Sequence, residues 1–145
     1  MNLLLLLPSE VASDGTARLR DRRLVHAREV LDARVGQQLR AGVLGGKTGS
    51  ARIASLSRDE LVLETSLTEP PPPRAGVDLI LAIPRPKALK KVIPAVASLG
   101  VDRLLLLNAA RVEKSYFDSK VLAPDFLYGL VRLGLEQGRD TIAPE

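Results

Sequence analysis

Five consecutive leucines, Leu3 to Leu7, are closed by Pro8. So short an apolar run predicts a buried strand over residues 2–7. After the Asp14-Gly15 turn signal, Leu24, Ala27, Val30 and Leu31 recur at helical spacing behind Asp21, a capping residue. That spacing predicts a helix over residues 22–33, with Arg22, Arg23, Arg28 and Asp32 off its apolar face and Gly36 ending the segment. Residues 38–44 and 50–56 read as short strands joined by the Gly-Gly-Lys-Thr-Gly hairpin at 45–49. Residues 60–67 set Leu61, Leu63 and Leu67 against polar neighbours, with Val62 on the other face, as a third strand of the meander would.

The pattern changes after the run Pro70 to Pro73, which cannot donate backbone hydrogen bonds and favours a stiff, extended spacer. Residues 77–83 are nearly all apolar, which predicts a strand covered on both faces. A helix over 87–99 turns Leu89, Val92, Ile93, Val96 and Ala97 inward, with Pro94 expected to kink it and Gly100 to stop it. Residues 103–107 form the next apolar strand, parallel to the first through a right-handed crossover. A polar loop over 108–119 leads to a helix over 124–137, apolar at Leu127, Leu130, Val131 and Leu135. The expected organisation is a β-rich domain over 1–69, a linker over 70–76, and the opening of an α/β domain over 77–145. A parallel sheet that begins here and stops after one more helix reads as a domain whose second half is missing.

Composition narrows the chemistry. The chain has 145 residues, is 46% hydrophobic but only 3% aromatic, and has no cysteine. Its core must therefore be aliphatic, and disulfides, thiolate metal sites and a cysteine nucleophile are excluded. Net charge is +4, but residues 15–58 hold ten Lys/Arg against three acids. Such a surplus is expected of a phosphate-binding face. The leucine run is shorter than a signal-peptide core or a membrane span and lacks a basic flank, so a soluble, cytoplasmic protein is expected.

The chemistry-bearing residues are few. His26 is the single histidine and cannot make a metal site with no cysteine beside it. It reads as a partly buried helix residue or as an RNA contact among Arg22, Arg23 and Arg28. The 45–49 loop contains Gly-Lys-Thr, but Ala41 stands where a phosphate-binding Walker loop has its first glycine, and no helix follows. A hairpin tip offering Lys47 to a phosphate is the functional alternative. Pro84-Arg85-Pro86-Lys87 follows a strand and opens a helix, at the carboxyl edge where α/β folds take ligands. The loop holding Arg111, Glu113 and Lys114 follows the second strand and lies on the same edge. Arg85, Lys87, Arg111 and Lys114 are thus expected to converge, unless Arg111 and Glu113 simply pair to fix their loop.

The stretch LAIPRPKALKKVIPAVASLGVDRLLLLNAARVEKSY, followed by LGLEQGRDTIAPE, resembles the ribosomal RNA small-subunit methyltransferase E family. LRDRRLVHAREVLDARVGQQLRAGVLGGKTGSARI is similar to that family's N-terminal domain, and the resemblance covers essentially the whole chain. It implies a PUA-like, RNA-binding β-barrel followed by the first part of a knotted α/β methyltransferase domain of the SPOUT class. It implies methylation of N3 of a uridine in 16S rRNA with S-adenosylmethionine, a small-ribosomal-subunit partner, and a homodimer in the full-length protein. Family members run roughly one hundred residues further. Their Gly-Pro-Glu-Gly-Gly loop and later Leu-Gly-x-Arg-Ile-Leu-Arg segment, which form the cofactor site, do not occur here, and Ser98 stands where many carry glutamate. The methyl-donor site is therefore expected beyond residue 145, with none of it within this chain and no catalytic residue assignable.

The RNA-binding candidates are Arg18, Arg22, Arg23, His26, Arg28, Lys47, Arg52, Arg85, Lys87, Arg111 and Lys114. Their alternative use is in an rRNA-binding module without catalysis. A flavodoxin-like nucleotide enzyme fits less well, because Ile83-Pro84-Arg85-Pro86 is no glycine-rich phosphate loop.

Overall fold

A computed structural model describes residues 2–145. The chain folds as two units, Met1–Pro71 and Pro72–Glu145.

The first unit is a five-stranded mixed sheet of β1 (Leu4–Leu6), β2 (Thr16–Leu19), β3 (Gln38–Val43), β4 (Thr48–Leu56) and β5 (Leu61–Glu69), with one helix, α1 (Arg22–Glu29). The strand order is β1-β3-β4-β5-β2. β1 lies parallel to β3, with Leu5 opposite Gly42, and the other neighbours are antiparallel. Period-two alternation sends Leu61 and Leu63 of β5 inward with Ile53 of β4, Ala17 and Leu19 of β2, and Leu24 and Ala27 of α1. The hairpin between β3 and β4 turns at Gly45, whose φ of +74° suits a residue without a Cβ.

One strand here goes unannounced by the sequence, and one expectation fails. β2 was not anticipated beyond its Asp14-Gly15 turn, because its four residues, TARL, are too short to display a period. The helix expected over 22–33 ends at Glu29, and Val30 is largely exposed rather than inward. Val30 and Leu31 both donate to the carbonyl of His26, and Asp32 has a φ of +45°, which no right-handed helix accommodates.

The second unit pairs β6 (Asp78–Ala82) with β7 (Arg103–Leu107) in parallel, Ile80 opposite Leu105. Between them runs α2 (Pro86–Ser98), and after them α3 (Pro124–Gly138). Leu104 and Leu106 pack with Leu89 and Ile93 of α2 and with Leu127 and Leu130 of α3. The opposite sheet face is bare: Ile80 is 65% exposed, Leu105 45% and Leu107 40%. The expectation of strands covered on both faces is corrected, since in these strands exposed and partly buried residues alternate. Continuous apolar sequence marked strands that are only half covered here. Beyond β7, the amide of Glu145 donates to the Asp102 carbonyl (2.9 Å) and its carbonyl accepts from Leu104 N–H (2.8 Å). Those two bonds are the pattern of a parallel ladder on the other edge of β7.

The proline-rich segment is less of a free spacer than its composition suggests. The Pro70 carbonyl accepts from the Thr48 hydroxyl (3.4 Å), within the first unit. Arg74 is tied into the second: its guanidinium donates to Asp102 (2.9 Å), to Asp140 (3.4 Å), to the Ile142 carbonyl (2.8 Å) and to the Val101 carbonyl.

α2 and α3 meet almost backbone to backbone. A Cβ added at Gly134 would overlap the Pro94 carbonyl and the Ala97 methyl, and one at Gly138 would overlap the Ser98 backbone. Gly138 is still helical, and the left-handed residue that closes α3 is Arg139, at φ +59° and ψ +35°. Glycine is favoured at such a position. Arg139→Gly should therefore stabilise the second unit by about 0.5 kcal/mol, the residue left after the added freedom of the unfolded glycine. The check is a rise of the thermal midpoint, and an unchanged or lower midpoint would refute the strain.

Candidate nucleic-acid interface

The cations of the first unit divide by partner. Arg18 (3.0 Å) and Arg20 (2.8 Å) both hold Glu60, whose carboxyl the Arg20 hydrogen bond keeps below the ordinary carboxylate range. Arg52 reaches Glu64 at 3.3 Å, and Arg28 donates to the Arg58 carbonyl at 3.1 Å. The four arginines are solvent-facing, although Glu60 is partly buried, so their pairings are weak and can exchange for phosphate. Lys47 is exposed near the end of the β3–β4 hairpin, and Arg22 is exposed at the start of α1.

Arg23 is different, and its place among the RNA contacts is corrected. It is 1% exposed. Its guanidinium donates to Glu10 (2.5 and 2.9 Å), Asp21 (2.6, 3.0 and 3.1 Å) and the Leu5 carbonyl (2.7 Å). Every N–H of the fork is spent inside the protein, so none is left for a phosphate. Burial pushes the Glu10 and Asp21 carboxyls up, and the hydrogen bonds from Arg23 outweigh it, so both lie below their ordinary values. Those same bonds outweigh burial at Arg23 and raise its pKa. Sequence reasoning missed this because Glu10, the distant carboxylate partner, lies in Pro8–Glu10, a short helical turn with no apolar period to announce it.

His26 is half-buried on α1, and its Nε2 has no hydrogen-bond partner among the described residues. No group of three metal-ligating side chains occurs among the described residues.

In the second unit, the loops after β6 and β7 leave the same sheet edge, where Ile83 N–H donates to the Leu107 carbonyl at 3.0 Å. Arg85, Lys87, Arg111 and Lys114 are all exposed there, and no ion pair joins Arg111 to Glu113 among the described residues. Arg85, Lys87, Ala88 and Lys91 line a shallow cavity of about 290 Å³. Lys91 was not singled out from sequence. A second cavity, of about 430 Å³, lies around Arg74, Asp102, Arg103 and Glu145, at the amino end of the strands. Arg103 there holds Asp78, whose carboxyl that hydrogen bond keeps below its ordinary value.

Two features weigh against S-adenosylmethionine in these two cavities. A sulfonium cation is repelled by the three cations of the first. The second lies away from the carboxyl edge where α/β sheets bind ligands, with its arginines already paired.

No family model matches the chain. It is 32% identical to the ribosomal RNA small subunit methyltransferase E of Treponema pallidum, over 99% of this chain and 55% of that protein. The chain thus spans about half the length of that curated relative. Its fold matches that of a ribosomal RNA small subunit methyltransferase E from Neisseria gonorrhoeae bound to S-adenosyl methionine, at a TM-score of 0.72 and 20% identity, over 99% of this chain and 59% of that one. A predicted RNA methyltransferase of Thermotoga maritima aligns at a TM-score of 0.71 and 18% identity, over 99% and 62%. A putative methyltransferase of Legionella pneumophila in complex with the same cofactor aligns at 0.70 and 17%, over 99% and 60%. By sequence the chain is similar to ribosomal RNA small subunit methyltransferase E over about half of that enzyme's length, and it shares the fold of the corresponding part of these solved methyltransferases.

Proposed function

We propose that this chain is the RNA-engaging portion of an S-adenosylmethionine-dependent rRNA methyltransferase acting on N3 of a uridine in 16S rRNA. The observation that carries the proposal is the 32% identity to a ribosomal RNA small subunit methyltransferase E over 99% of the chain. In this reading the first unit serves as a PUA-like RNA-binding barrel and the second as the opening of a SPOUT domain. The small ribosomal subunit is the partner, and the full-length enzyme works as a dimer. The exposed cations Arg18, Arg22, Arg28, Lys47, Arg52, Arg85, Lys87, Arg111 and Lys114 contact the RNA backbone, with His26 beside them.

The cofactor supplies an electrophilic methyl group to the uridine ring. The residues of this chain bind and orient the RNA, and no step of methyl transfer is assigned to them. The uridine N3 proton leaves only above neutral pH, so the complete site needs a base or a stabiliser for the ring anion.

Two measurements on the 145-residue chain test the reading. Filter binding to 16S rRNA should give an affinity that falls steeply with salt. Calorimetric titration with S-adenosylmethionine should give no heat. Failure to bind 16S rRNA at low salt would overturn the proposed role, and tight cofactor binding would overturn the division of labour.

A further inference from the structure

Between Asp78 and Asp102 the chain has no acidic residue, while Arg85, Lys87, Lys90 and Lys91 give that stretch a charge of +4. Most of it is α2. Helical spacing puts Leu89, Ile93, Val96 and Ala97 on the buried side, and Lys87, Ala88, Lys91 and Ala95 on the exposed one. The outward surface is therefore two lysines one turn apart, set among methyl groups. Small neighbours matter here, because they let an extended polyanion approach the helix without displacing larger side chains.

The group differs from seven arginines elsewhere in the chain. Arg18, Arg20, Arg23, Arg34, Arg52, Arg74 and Arg103 each hold a carboxylate. No carboxylate holds Arg85, Lys87 or Lys91 among the described residues, although the three line one cavity of about 290 Å³. Lys90, on the flank of the same helix, lies over the Phe126 ring at 5.2 Å from its centroid, an aromatic rather than an anionic partner. Like charges gathered without counter-charges repel one another, so a bound polyanion stabilises the group.

We propose that the exposed face of α2, from Arg85 to Lys91, is a phosphate-tracking surface that carries the backbone of an RNA strand, with Lys87 and Lys91 on separate phosphates. This rests on the RNA-binding reading above and deepens it by extending the contacts from Arg85 and Lys87 to Lys91 and giving the helix face a register on the RNA backbone. Spacing supports the two-phosphate count, since one helical turn advances about 5.4 Å, close to the separation of successive phosphates in an extended strand.

The test uses the 145-residue chain and a fluorescein-labelled, unstructured 20-nucleotide RNA, with anisotropy measured from low to physiological salt. Lys87→Gln with Lys91→Gln should weaken binding about tenfold at the lowest salt. It should also flatten the slope of log affinity against log salt by about 1.4, two contacts at roughly 0.7 each for a single strand. Lys87→Arg with Lys91→Arg should retain wild-type affinity. Arg34→Gln, which removes a cation paired with Asp32 in the first unit, should leave the slope unchanged. Circular dichroism confirms that each variant is folded.

If the wild-type chain binds and the double glutamine variant binds with the same slope, the α2 surface is refuted while the RNA-binding role stands. If the wild-type chain fails to bind any RNA, both fall. Equal affinity for polyglutamate and RNA would also overturn the proposal, by making the surface a docking face for acidic protein.

Discussion

Gly134→Ala is expected to destabilise the second unit by about 2–3 kcal/mol, the usual cost of forcing a carbon into a packed interface. The new methyl would fall on the Pro94 carbonyl and the Ala97 side chain. The obstacle is mostly backbone, so no rotamer change relieves it, and the two helices must separate. Their separation then loosens the contacts of Leu89 and Ile93 with Leu130 and Val131 in the same cluster. Gly134→Val should leave the unit unfolded at room temperature. Gly129, on the same helix, has nothing within 4 Å of a built Cβ. Gly129→Ala should therefore stabilise by about 1 kcal/mol through helix propensity alone. Urea unfolding followed by tyrosine emission reads the second unit selectively, because both tyrosines, Tyr116 and Tyr128, lie in it and the chain has no tryptophan. Shifts of the two alanine variants in the same direction would contradict the packing account.

Arg23→Met should cost the first unit about 3 kcal/mol, the low end for breaking a buried ion pair. The low end applies because Asp21 is half exposed and can rehydrate, whereas Glu10 is mostly covered. The hydrocarbon fills the space, but the Leu5 carbonyl loses the charged donor that lay 2.7 Å away. Arg23→Lys should recover only part of the loss, since one ammonium cannot reproduce a planar fork shared between two carboxylates.

The acid side of the stability profile changes with it. Glu10 and Asp21 have depressed pKa values when folded. Their contribution is therefore present above their unfolded values, about 4.3 and 3.9, and is lost as pH falls through the lower folded ones. Removing Arg23 removes the depression, so the variant should be less stable at neutral pH and lose less on acidification. Hydrogen exchange of the β1 amides at pH 7 and pH 4 distinguishes the two profiles. A variant with wild-type protection at pH 7 would remove Arg23 from its place as the organising charge of this unit.

Long periodic segments were legible from the sequence. α2 and α3 were expected within a residue or two of their ends, β7 on its bounds, and the β3-β4-β5 meander by alternation and a glycine turn. What escaped was decided by contacts between distant residues. β2 has four residues and becomes a strand only because β5 offers it a ladder. The role of Arg23 depends on Glu10, thirteen residues away, meeting it across a helical turn. Gly134 and Gly138 read in isolation as poor helix formers, and only the approach of α2 shows why they are tolerated.

The exposed cations show the same division. The sheet edge holding Arg85 and Arg111 follows from strand–helix–strand order alone. The unpaired state of Arg85, Lys87 and Lys91 does not, because carboxylates distant in sequence could have reached them.

The bare face of the β6–β7 sheet bears on how this chain is assayed. Ile80, Leu105 and Leu107 give the native state an apolar surface of the kind that amphiphilic fluorescent dyes use to detect expanded, loosely packed proteins. Dye enhancement at neutral pH would thus accompany full cooperativity and native side-chain order, and reports on disordered cores would need to come from near-ultraviolet dichroism instead.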